Sequence, residues 1–399
     1  MIIAGHQVDE AMFSYIARHA DADTHKLLLK AEPKLTFDKS FAILQIECRK
    51  RSKNKIPELL RNERFLFPKS VSAEQCTHEI VAQFHAAQFC AGDHVLDMTM
   101  GLGVDDYYIS QRVKSLTSIE LDAEIAEIGQ YNFSFLNPAM TVIHGDSTDY
   151  IQNHVGEIFD AVFIDPARRG DSGKRLYGLS DCHPDVLGLL PIMQGRTHRL
   201  FVKASPMLDV AKSIVDLGEA LTDVWAVSIK NECKELFFRL DFDATSKQPT
   251  LHALNYDGEW HDFVTTCYTG CSTCFASPEP GAYLYEPNAS VMKLACFDAL
   301  SHHYSAMPIA KNSHLFVGQE LLNDFPGRKF VIEEVVPFKD REVKNLAKRF
   351  NQMNVATRNF RLKAEELKHR LKVRDGGDIY LFATILSGGE QVLIITSKA

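Results

Sequence analysis

The stretch VLDMTMGLGVDDYYIS, residues 95–110, contains an apolar strand, a glycine-rich turn and the start of a predicted helix. Asp97 stands at the carboxyl end of the strand, and Gly101 and Gly103 leave room for a ligand against the backbone. The helix directs its N-terminus towards the same place, which is the layout of a nucleotide-binding turn in a doubly wound sheet. The turn reads DxTxGxGxD and not GxGxxG, which favours a ligand without a pyrophosphate, such as an adenosyl cofactor.

Three further apolar runs follow at the spacing of βα units: SLTSIELD from residue 115, TVIHGDS from residue 141 and FDAVFIDPARRG from residue 159. Acidic residues lie at the end of each run, where a doubly wound sheet gathers its strand ends around a ligand. Glu120 can bind ribose hydroxyls, and Asp146 can accept a hydrogen bond from an adenine amino group. Asp165 and Pro166 can face the group that is transferred. An aspartate after a strand is usually a turn or helix cap, so the ordered set is informative and a single position is not.

With this ordered set, residues 90–245 resemble class I S-adenosylmethionine-dependent methyltransferases. The resemblance implies an α/β fold with a Rossmann-like, seven-stranded methyltransferase sheet, and S-adenosyl-L-methionine as the cofactor. It implies that the cofactor is bound by Asp97, Thr99, Met100, Gly101, Gly103, Asp105, Glu120, Leu121, Asp146 and Ser147. It also implies that the DPxR stretch acts on the substrate side, with Asp165, Pro166 and Arg168 as the catalytic residues.

The predicted strands of this sheet lie near residues 93–98, 115–121, 140–144, 159–164, 198–203, 222–229 and 235–243. The last two are joined by residues 230–234, a connection too short for a crossover helix, so they must be antiparallel. A parallel sheet that ends in such a hairpin is the architecture of these methyltransferases.

The rest of the chain divides into a mainly helical N-terminal region, residues 1–90, a linker or ferredoxin-like region, residues 246–312, and a small α+β domain, residues 313–399. In the N-terminal region we expect helices around residues 8–19 and 73–90. Ser72 and Gln75 have the spacing of a capping box at the start of the second helix. Between the helices, the run FAILQIECR at residues 41–49 is predicted as a strand.

Longer stretches are similar to a group of bacterial methyltransferases with a C-terminal THUMP-like domain: KASPMLD, KNECKE, YLYEPNAS, NVATRNF and LKAEELKHRLKVRDGGDIYLFAT. Together with the turn at residues 95–110, they extend the resemblance over nearly the whole chain. THUMP domains are associated with RNA-modifying enzymes, so the resemblance implies an RNA substrate. This is an analogy of fold, which does not identify the RNA.

Charge is unevenly distributed along the chain. The net charge of the whole chain is −8, yet residues 328–374 contain 14 Lys and Arg against 6 Asp and Glu. A second basic run, RKRSKNK, occupies residues 49–55. Basic patches on an acidic protein favour contacts with a polyanion, and Arg358, Arg361 and Lys363 are candidates for binding phosphate. The alternative is a solvated helix face, because KAEELKHRLK has the charge pattern of an exposed amphipathic helix.

The sequence DPAR at residues 165–168 is related to the DPPY motif of amino methyltransferases, in which the acid and the proline carbonyl hold the target amine by its hydrogens. The second proline and the aromatic residue are missing, which puts base stacking at this position in doubt; Tyr177 could supply a stacking face. Arg168 and Arg169 could bind a phosphate or pair with acids of the same chain. Lys203, at the end of a predicted strand, is a candidate for substrate binding or for a structural ion pair.

Two sequence patterns that involve cysteines point to other chemistries. Residues 165–170 also resemble the DPPRxG motif of uracil C5-methyltransferases, but Cys182 and Cys233 lie outside the sequence context of the required nucleophile, which disfavours carbon methylation. CYTGCSTC, residues 267–274, has the CxxxCxxC spacing of radical adenosylmethionine enzymes, and His261 could complete a zinc set. Radical enzymes carry that loop after the first strand of a barrel, so unligated thiols and no metal are the favoured interpretation.

The composition favours a protein of the cytoplasm. The nine cysteines are irregularly spaced, which is typical of a reducing compartment. No apolar run approaches the ~20 residues that span a bilayer, and the N-terminus lacks the basic and apolar segments of a signal peptide. We therefore expect a soluble, cytoplasmic protein without a membrane partner, and the oligomeric state stays open.

Three functions are compatible with these features. The favoured one is a methyltransferase that modifies a nucleobase in RNA. The second is a methyltransferase acting on a protein or small molecule, and the third is a non-catalytic RNA-binding protein that retains the fold. The intact acid set of Asp97, Glu120, Asp146 and Asp165 argues against the third.

Overall fold

The computed structural model describes residues 1–30, 35–154, 156, 158–168, 178–244, 248–266 and 274–399. The chain forms two compact units. Unit 1 comprises Met1–Thr222 and Phe237–Lys247, and unit 2 comprises Asp223–Leu236 and Gln248–Ala399.

Unit 1 begins with a small hairpin and a group of helices: β1 (Ile2–Ile3), β2 (His6–Gln7), α1 (Glu10–Arg18), α2 (Thr24–Leu29), α3 (Lys39–Ser52), α4 (Pro57–Leu60), α5 (Ser70–Gln75) and α6 (Glu79–Ala86). The strand predicted at residues 41–49 is wrong, because this run lies within α3. Asp38 caps α3 by accepting hydrogen bonds from the backbone N of Ser40 at 2.9 Å and of Phe41 at 3.4 Å. The proposed capping box is also wrong, since α5 ends at Gln75 and α6 is capped by His78.

The rest of unit 1 alternates strands and helices: β3 (His94–Asp97), α7 (Val104–Ser110), β4 (Ser115–Glu120), α8 (Ala123–Leu136), β5 (Thr141–His144), α9 (Ser147–Asn153), β6 (Phe159–Ile164), β7 (Ala167–Arg168), β8 (Cys182–His183), α10 (Val186–Met193), β9 (Thr197–Ala204) and α11 (Val210–Leu217). Strands β9, β6, β3, β4 and β5 lie side by side in that order and are all parallel. Because the chain order reverses at β3, a crevice opens there beyond the carboxyl ends of the strands. The predicted α/β fold with a mostly parallel sheet is confirmed.

The strands β10 (Leu221–Ile229) and β11 (Glu232–Asp241) are neighbours joined by a two-residue turn. Lys230 and Asn231 in this turn have φ values of 49° and 63°, as in the type I′ turns that connect antiparallel strands. This is the hairpin that the short connection predicted. The first part of β11 belongs to unit 2, and the part from Phe237 onwards lies next to β9 in unit 1.

Unit 2 continues with β12 (Thr250–Tyr256), β13 (Trp260–Thr265), β14 (Tyr283–Pro287), α12 (Ala289–Leu294), α13 (Phe297–Tyr304), β15 (Met307–Pro308), β16 (Phe316–Gly318), β17 (Gly327–Pro337), α14 (Asp340–Arg349), β18 (Asn354–Thr357), α15 (Ala364–Leu371), β19 (Ile379–Ile385) and β20 (Gln391–Lys398). β12 pairs in parallel with β10 and antiparallel with β13, so two more strands than the sequence indicated extend from the hairpin.

A second sheet in unit 2 has the strand order β15-β16-β14-β17-β20-β19-β18. One face packs against α14 and α15 through a core that includes Leu346, Leu367, Leu381 and Leu393. The other face has its own core, which includes Phe330, Ile332, Phe382 and Ile394. The small α+β domain was predicted to begin at residue 313. Strands β14 and β15 of its sheet lie before that residue, so the sheet begins earlier in the chain than predicted.

Within the described ranges, none of the helices combines the length and the apolar character that crossing a membrane requires.

Candidate cofactor and acceptor site

The turn after β3 is held close to the neighbouring strand and helix. Met100 N donates to Ile119 O at 3.1 Å. Gly101 and Gly103 have φ values of 57° and 78°, in the region that favours glycine. A Cβ on Gly103 would lie 2.6 Å from Phe133 Cε2, whereas a Cβ on Gly101 would meet, among the described residues, only Thr99 O at 3.9 Å. Gly103 is therefore required for packing, and Gly101 leaves open space in front of the turn.

Glu120, at the end of β4, shapes the same turn. Its Oε2 accepts a hydrogen bond from Gly101 N at 2.9 Å, and its Oε1 accepts one from Asp122 N at 2.9 Å. A carboxylate has about four lone-pair sites, so these two bonds orient the group and leave acceptor capacity for hydroxyls. The side chain of Leu121 is 55% exposed. An acid beside an exposed apolar side chain fits a ribose and the face of its base.

Asp146 caps a helix and also lines a cleft. Its Oδ1 accepts hydrogen bonds from the backbone N of Thr148 at 2.7 Å and of Asp149 at 3.3 Å, so it caps α9, in which Ser147 is the first residue. It also lines a cleft of about 280 Å³ together with residues of α9, β8 and α10, including His183 and Leu189. This volume is near the lower end of ligand pockets and suits the base part of an adenosyl group.

Two buried carboxyl groups lie under the turn. Asp97 and Asp106 are 1% and 0% exposed. Thr99 N donates to Asp97 Oδ1 at 2.7 Å, and Ser118 Oγ donates to Asp106 Oδ1. Burial raises the pKa of Asp97 well above its ordinary value, and repulsion from Asp106 raises it further; burial also raises the pKa of Asp106. Both shifts favour the protonated form of the pair over two buried negative charges. Sequence reasoning missed Asp106, for which the doublet Asp105–Asp106 was the available signal.

A second set of charges links the cofactor turn to the DPxR stretch. Lys203, at the end of β9 and 9% exposed, donates to Asp165 Oδ2 at 2.6 Å and to Thr77 Oγ1 at 2.7 Å. Its Nζ also lies 3.8 Å from Asp105 Oδ2. In addition, Asp165 N donates to Thr99 Oγ1 at 2.7 Å. The strand ends of β3, β6 and β9 are thus joined by hydrogen bonds.

Asp105 is a strongly stabilised carboxylate of this network. Thr77 Oγ1 donates to its Oδ2, and His85 Nδ1 lies 2.8 Å from its Oδ1. Burial on its own would raise the pKa of Asp105, but the positive charge of Lys203 and the bonds from His85 and Thr77 lower the pKa from 3.8 to about 2. Thr77 and His85 were not found from the sequence, because they precede β3 and no local pattern marks them.

The other residues expected on the substrate side have different surroundings. Arg168 is the last residue of β7 and pairs with Cys182 of β8. Arg169 and Tyr177 lie outside the described residues. Cys182 is buried, and burial raises the pKa of the Cys233 thiol, which fits the expectation that neither is a nucleophile.

The three basic residues proposed in unit 2 have separate neighbours. Arg358 pairs with the buried Glu286. The guanidinium of Arg361 lies 5.1 Å from the ring centroid of Phe338. Lys363 is the N-cap residue of α15. They therefore make different contacts instead of one shared cluster.

The basic run at residues 49–55 is largely structural. Arg49 donates to the backbone oxygens of Leu60, Asn62, Glu63 and Phe65 at 2.8 to 3.4 Å. Arg51 pairs with Glu47 and Glu74. These contacts hold the N-terminal helices together, and contact of this run with a polyanion stays a prediction.

The possible zinc set lies partly outside the described residues, because Cys267 and Cys271 fall there. Cys274 is exposed, and His261 Nε2 lies 3.0 Å from Asp257 Oδ1. In the part of the chain that is described, no three His, Cys, Asp or Glu side chains are grouped as metal ligands.

Comparisons with known proteins agree with this architecture. Residues 327–398 match the THUMP domain-like family, and residues 283–326 match a ferredoxin-like domain. The crystal structure of a proposed methyltransferase from Porphyromonas gingivalis W83 is 27% identical, with a TM-score of 0.88 over 100% of both chains. An uncharacterized RNA methyltransferase of Mycoplasma mobile is 35% identical over 80 residues, which are 20% of this chain and 22% of that protein. The C-terminal residues therefore match the THUMP domain-like family, and the resemblance to methyltransferases with such a domain is confirmed.

Proposed function

We propose that this protein is an S-adenosyl-L-methionine-dependent methyltransferase that modifies a nucleobase in RNA. The observation that carries the proposal is the hydrogen-bonded junction of strand ends, in which Lys203 and Thr99 hold Asp165 beside the turn of Gly101. The similarity over the full chain to a proposed methyltransferase supports the reaction, and the THUMP domain-like match supports RNA.

The residues at the strand ends fit an adenosyl cofactor. The open space at Gly101, the acceptor capacity of Glu120, the exposed Leu121 and the cleft at Asp146 lie along one edge of the sheet. When bound, S-adenosyl-L-methionine supplies an electrophilic methyl group on a sulfonium. The raised pKa values of Asp97 and Asp106 favour their protonated forms, which limits the negative charge buried under the turn.

In this proposal, Asp165 and Pro166 hold the acceptor. The side chain of Asp165 is 40% exposed, and the ammonium of Lys203 donates to its Oδ2 at 2.6 Å. A carboxylate oriented in this way can accept a hydrogen bond from an amine, with the Pro166 carbonyl as a second acceptor. Holding an amine by its hydrogens directs its lone pair, and such positioning supplies much of the acceleration in group transfer.

A nucleoside analysis and a methyl-transfer assay test the proposal. Nucleosides from the RNA of a deletion strain and of its parent should differ by the loss of one methylated base. Purified protein with radiolabelled S-adenosylmethionine should restore that base in RNA from the deletion strain. Transfer of label to a protein or small molecule, with unchanged nucleosides, would favour the second function; cofactor binding below detection in calorimetry would favour the non-catalytic one. Cytoplasmic location stays a prediction.

A further inference from the structure

One surface of unit 2 combines exposed cations with an aromatic ring. Arg328 of β17 and Arg358 after β18 both bind Glu286 of β14, whose side chain is only 5% exposed, while the arginine side chains are 46% and 37% exposed. Arg328 Nε donates to Glu286 Oε2 at 2.7 Å. A single buried carboxylate therefore fixes two guanidinium groups, which keep donors directed to solvent because each carries five N–H groups.

Tyr380 of β19 lies beside these arginines. Arg328 Cζ is 6.0 Å and Lys398 Nζ is 5.8 Å from the centroid of its ring. The ring packs against Phe330 with centroids 5.0 Å apart and is half-buried, whereas Lys398 is exposed. We call Arg328, Arg358, Tyr380 and Lys398 the Tyr380 patch.

The strand register places the patch on one face of the second sheet. Glu286 is the partner of Arg328, and Phe330 is the partner of Lys398. The opposite face is the one that α14 and α15 cover. The patch has three cations, and Glu286 neutralises one of them. The surface around the Tyr380 ring therefore carries an excess of two positive charges.

We propose that the Tyr380 patch binds a single-stranded segment of the RNA substrate, with the cations on phosphates and Tyr380 stacked on a base. The proposal rests on the proposed function, since it names the form of RNA that is recognised. Stacking requires a base that is not paired inside a helix, and a cationic surface with a ring is the usual platform for single strands. A duplex would offer only its phosphates to the same surface.

Binding of the full-length protein to a fluorescein-labelled RNA of about 12 nucleotides, a length within the usual site size, tests the patch by fluorescence anisotropy. The single strand should bind more tightly than its duplex. Tyr380→Ala should weaken the binding about 5- to 150-fold, as the loss of one base stack does, while Tyr380→Phe should keep wild-type affinity. Lys398→Gln should reduce the slope of log affinity against log salt by about 0.7.

The matched control is Lys344→Gln, an exposed lysine on α14 of the covered face, which should leave the slope unchanged. Equal affinity of Tyr380→Ala and wild type, with unchanged circular dichroism, would overturn the patch, as would a preference for the duplex or an equal effect of the control. Methyl transfer to RNA is measured in parallel. If the patch variants bind RNA as the wild type does and methyl transfer to RNA persists, the patch is rejected and the proposed function is retained. If the wild type neither binds RNA nor transfers a methyl group to it, the patch and the proposed function are both rejected.

Discussion

Lys203→Met removes the ammonium that joins Asp165 to Asp105, and we expect it to destabilise unit 1. Lys203 and Asp105 are 9% and 8% exposed, so water screens their attraction little. The pKa of Asp105 is lowered from 3.8 to about 2, which corresponds to about 2.5 kcal/mol at ~1.36 kcal/mol per pKa unit, shared with His85 and Thr77. Removing one partner of a buried pair typically costs ~3 to 5 kcal/mol. The free energy of unfolding should therefore fall by about 3 kcal/mol at neutral pH.

The size of this loss should depend on pH. In the wild type, the folded pKa of Asp105 is below the unfolded one, so its stabilisation is present above about pH 4 and is lost as the pH falls towards 2. In the variant, burial acts on Asp105 without the lysine charge, and we expect its folded pKa to exceed the unfolded value. The variant then takes up a proton on folding in mild acid, so its deficit should shrink as the pH is lowered.

Urea unfolding followed by circular dichroism at about pH 7 and about pH 5 measures both effects. The control is Lys212→Met on α11, whose ammonium pairs with Asp216 and whose side chain is 58% exposed; it should change stability by less than ~0.5 kcal/mol. A deficit of equal size at both pH values, or one as small as that of the control, would refute the interpretation of Lys203 as the counter-charge of Asp105.

Three further variants test the cofactor turn and the acceptor motif. Glu120→Ala should weaken S-adenosylmethionine binding by roughly 1.5 to 3 kcal/mol in calorimetry, as hydrogen bonds to charged groups do; Glu127→Ala, an exposed acid of α8, should not, and equal affinities would remove Glu120 from the site. Asp165→Asn should abolish methyl transfer with little change in cofactor affinity, because the acid acts mainly in the transition state; a rate near that of wild type would contradict the role of the DPxR stretch. Gly103→Ala places a Cβ 2.6 Å from Phe133 Cε2 at a φ of 78° and should lower the free energy of unfolding by ~2 kcal/mol, whereas an unchanged urea midpoint would speak against that close approach.

The central sheet was predictable because its inner strands, β3 and β6, are buried on both faces and read as short apolar runs with a polar end. The same rule failed for α3, where Phe41, Ile43, Ile46 and Cys48 are all buried. A helix that packs on several sides has no polar face, so periodicity does not separate it from a buried strand. The distinguishing signal was Asp38, whose position before the run is that of an N-cap.

The site divides in a similar way. Acids at strand ends follow from the parallel topology, so Glu120, Asp146 and Asp165 could be named without coordinates. Their supporting contacts could not, because Lys203 bonds to Thr77, which is 126 residues away in the chain. Nothing local to Thr77 marks it as a partner of a lysine, and such contacts arise only when the N-terminal helices pack on the sheet.

These long-range bonds also decide how the variants must be chosen. Thr99 Oγ1 accepts from the backbone N of Asp165, and Lys203 bonds to Asp165 and lies near Asp105, so the acceptor motif and the cofactor turn share a hydrogen-bonded network. Changes within such a network are not additive. Asp165→Ala would leave Lys203 without its 2.6 Å partner and could disturb the turn, so loss of transfer would not isolate the acceptor role. Asp165→Asn keeps the backbone donor and an acceptor oxygen for Lys203. It removes the charge and replaces one acceptor oxygen with an amide donor, so calorimetry and methyl transfer report separately on the two halves of the site.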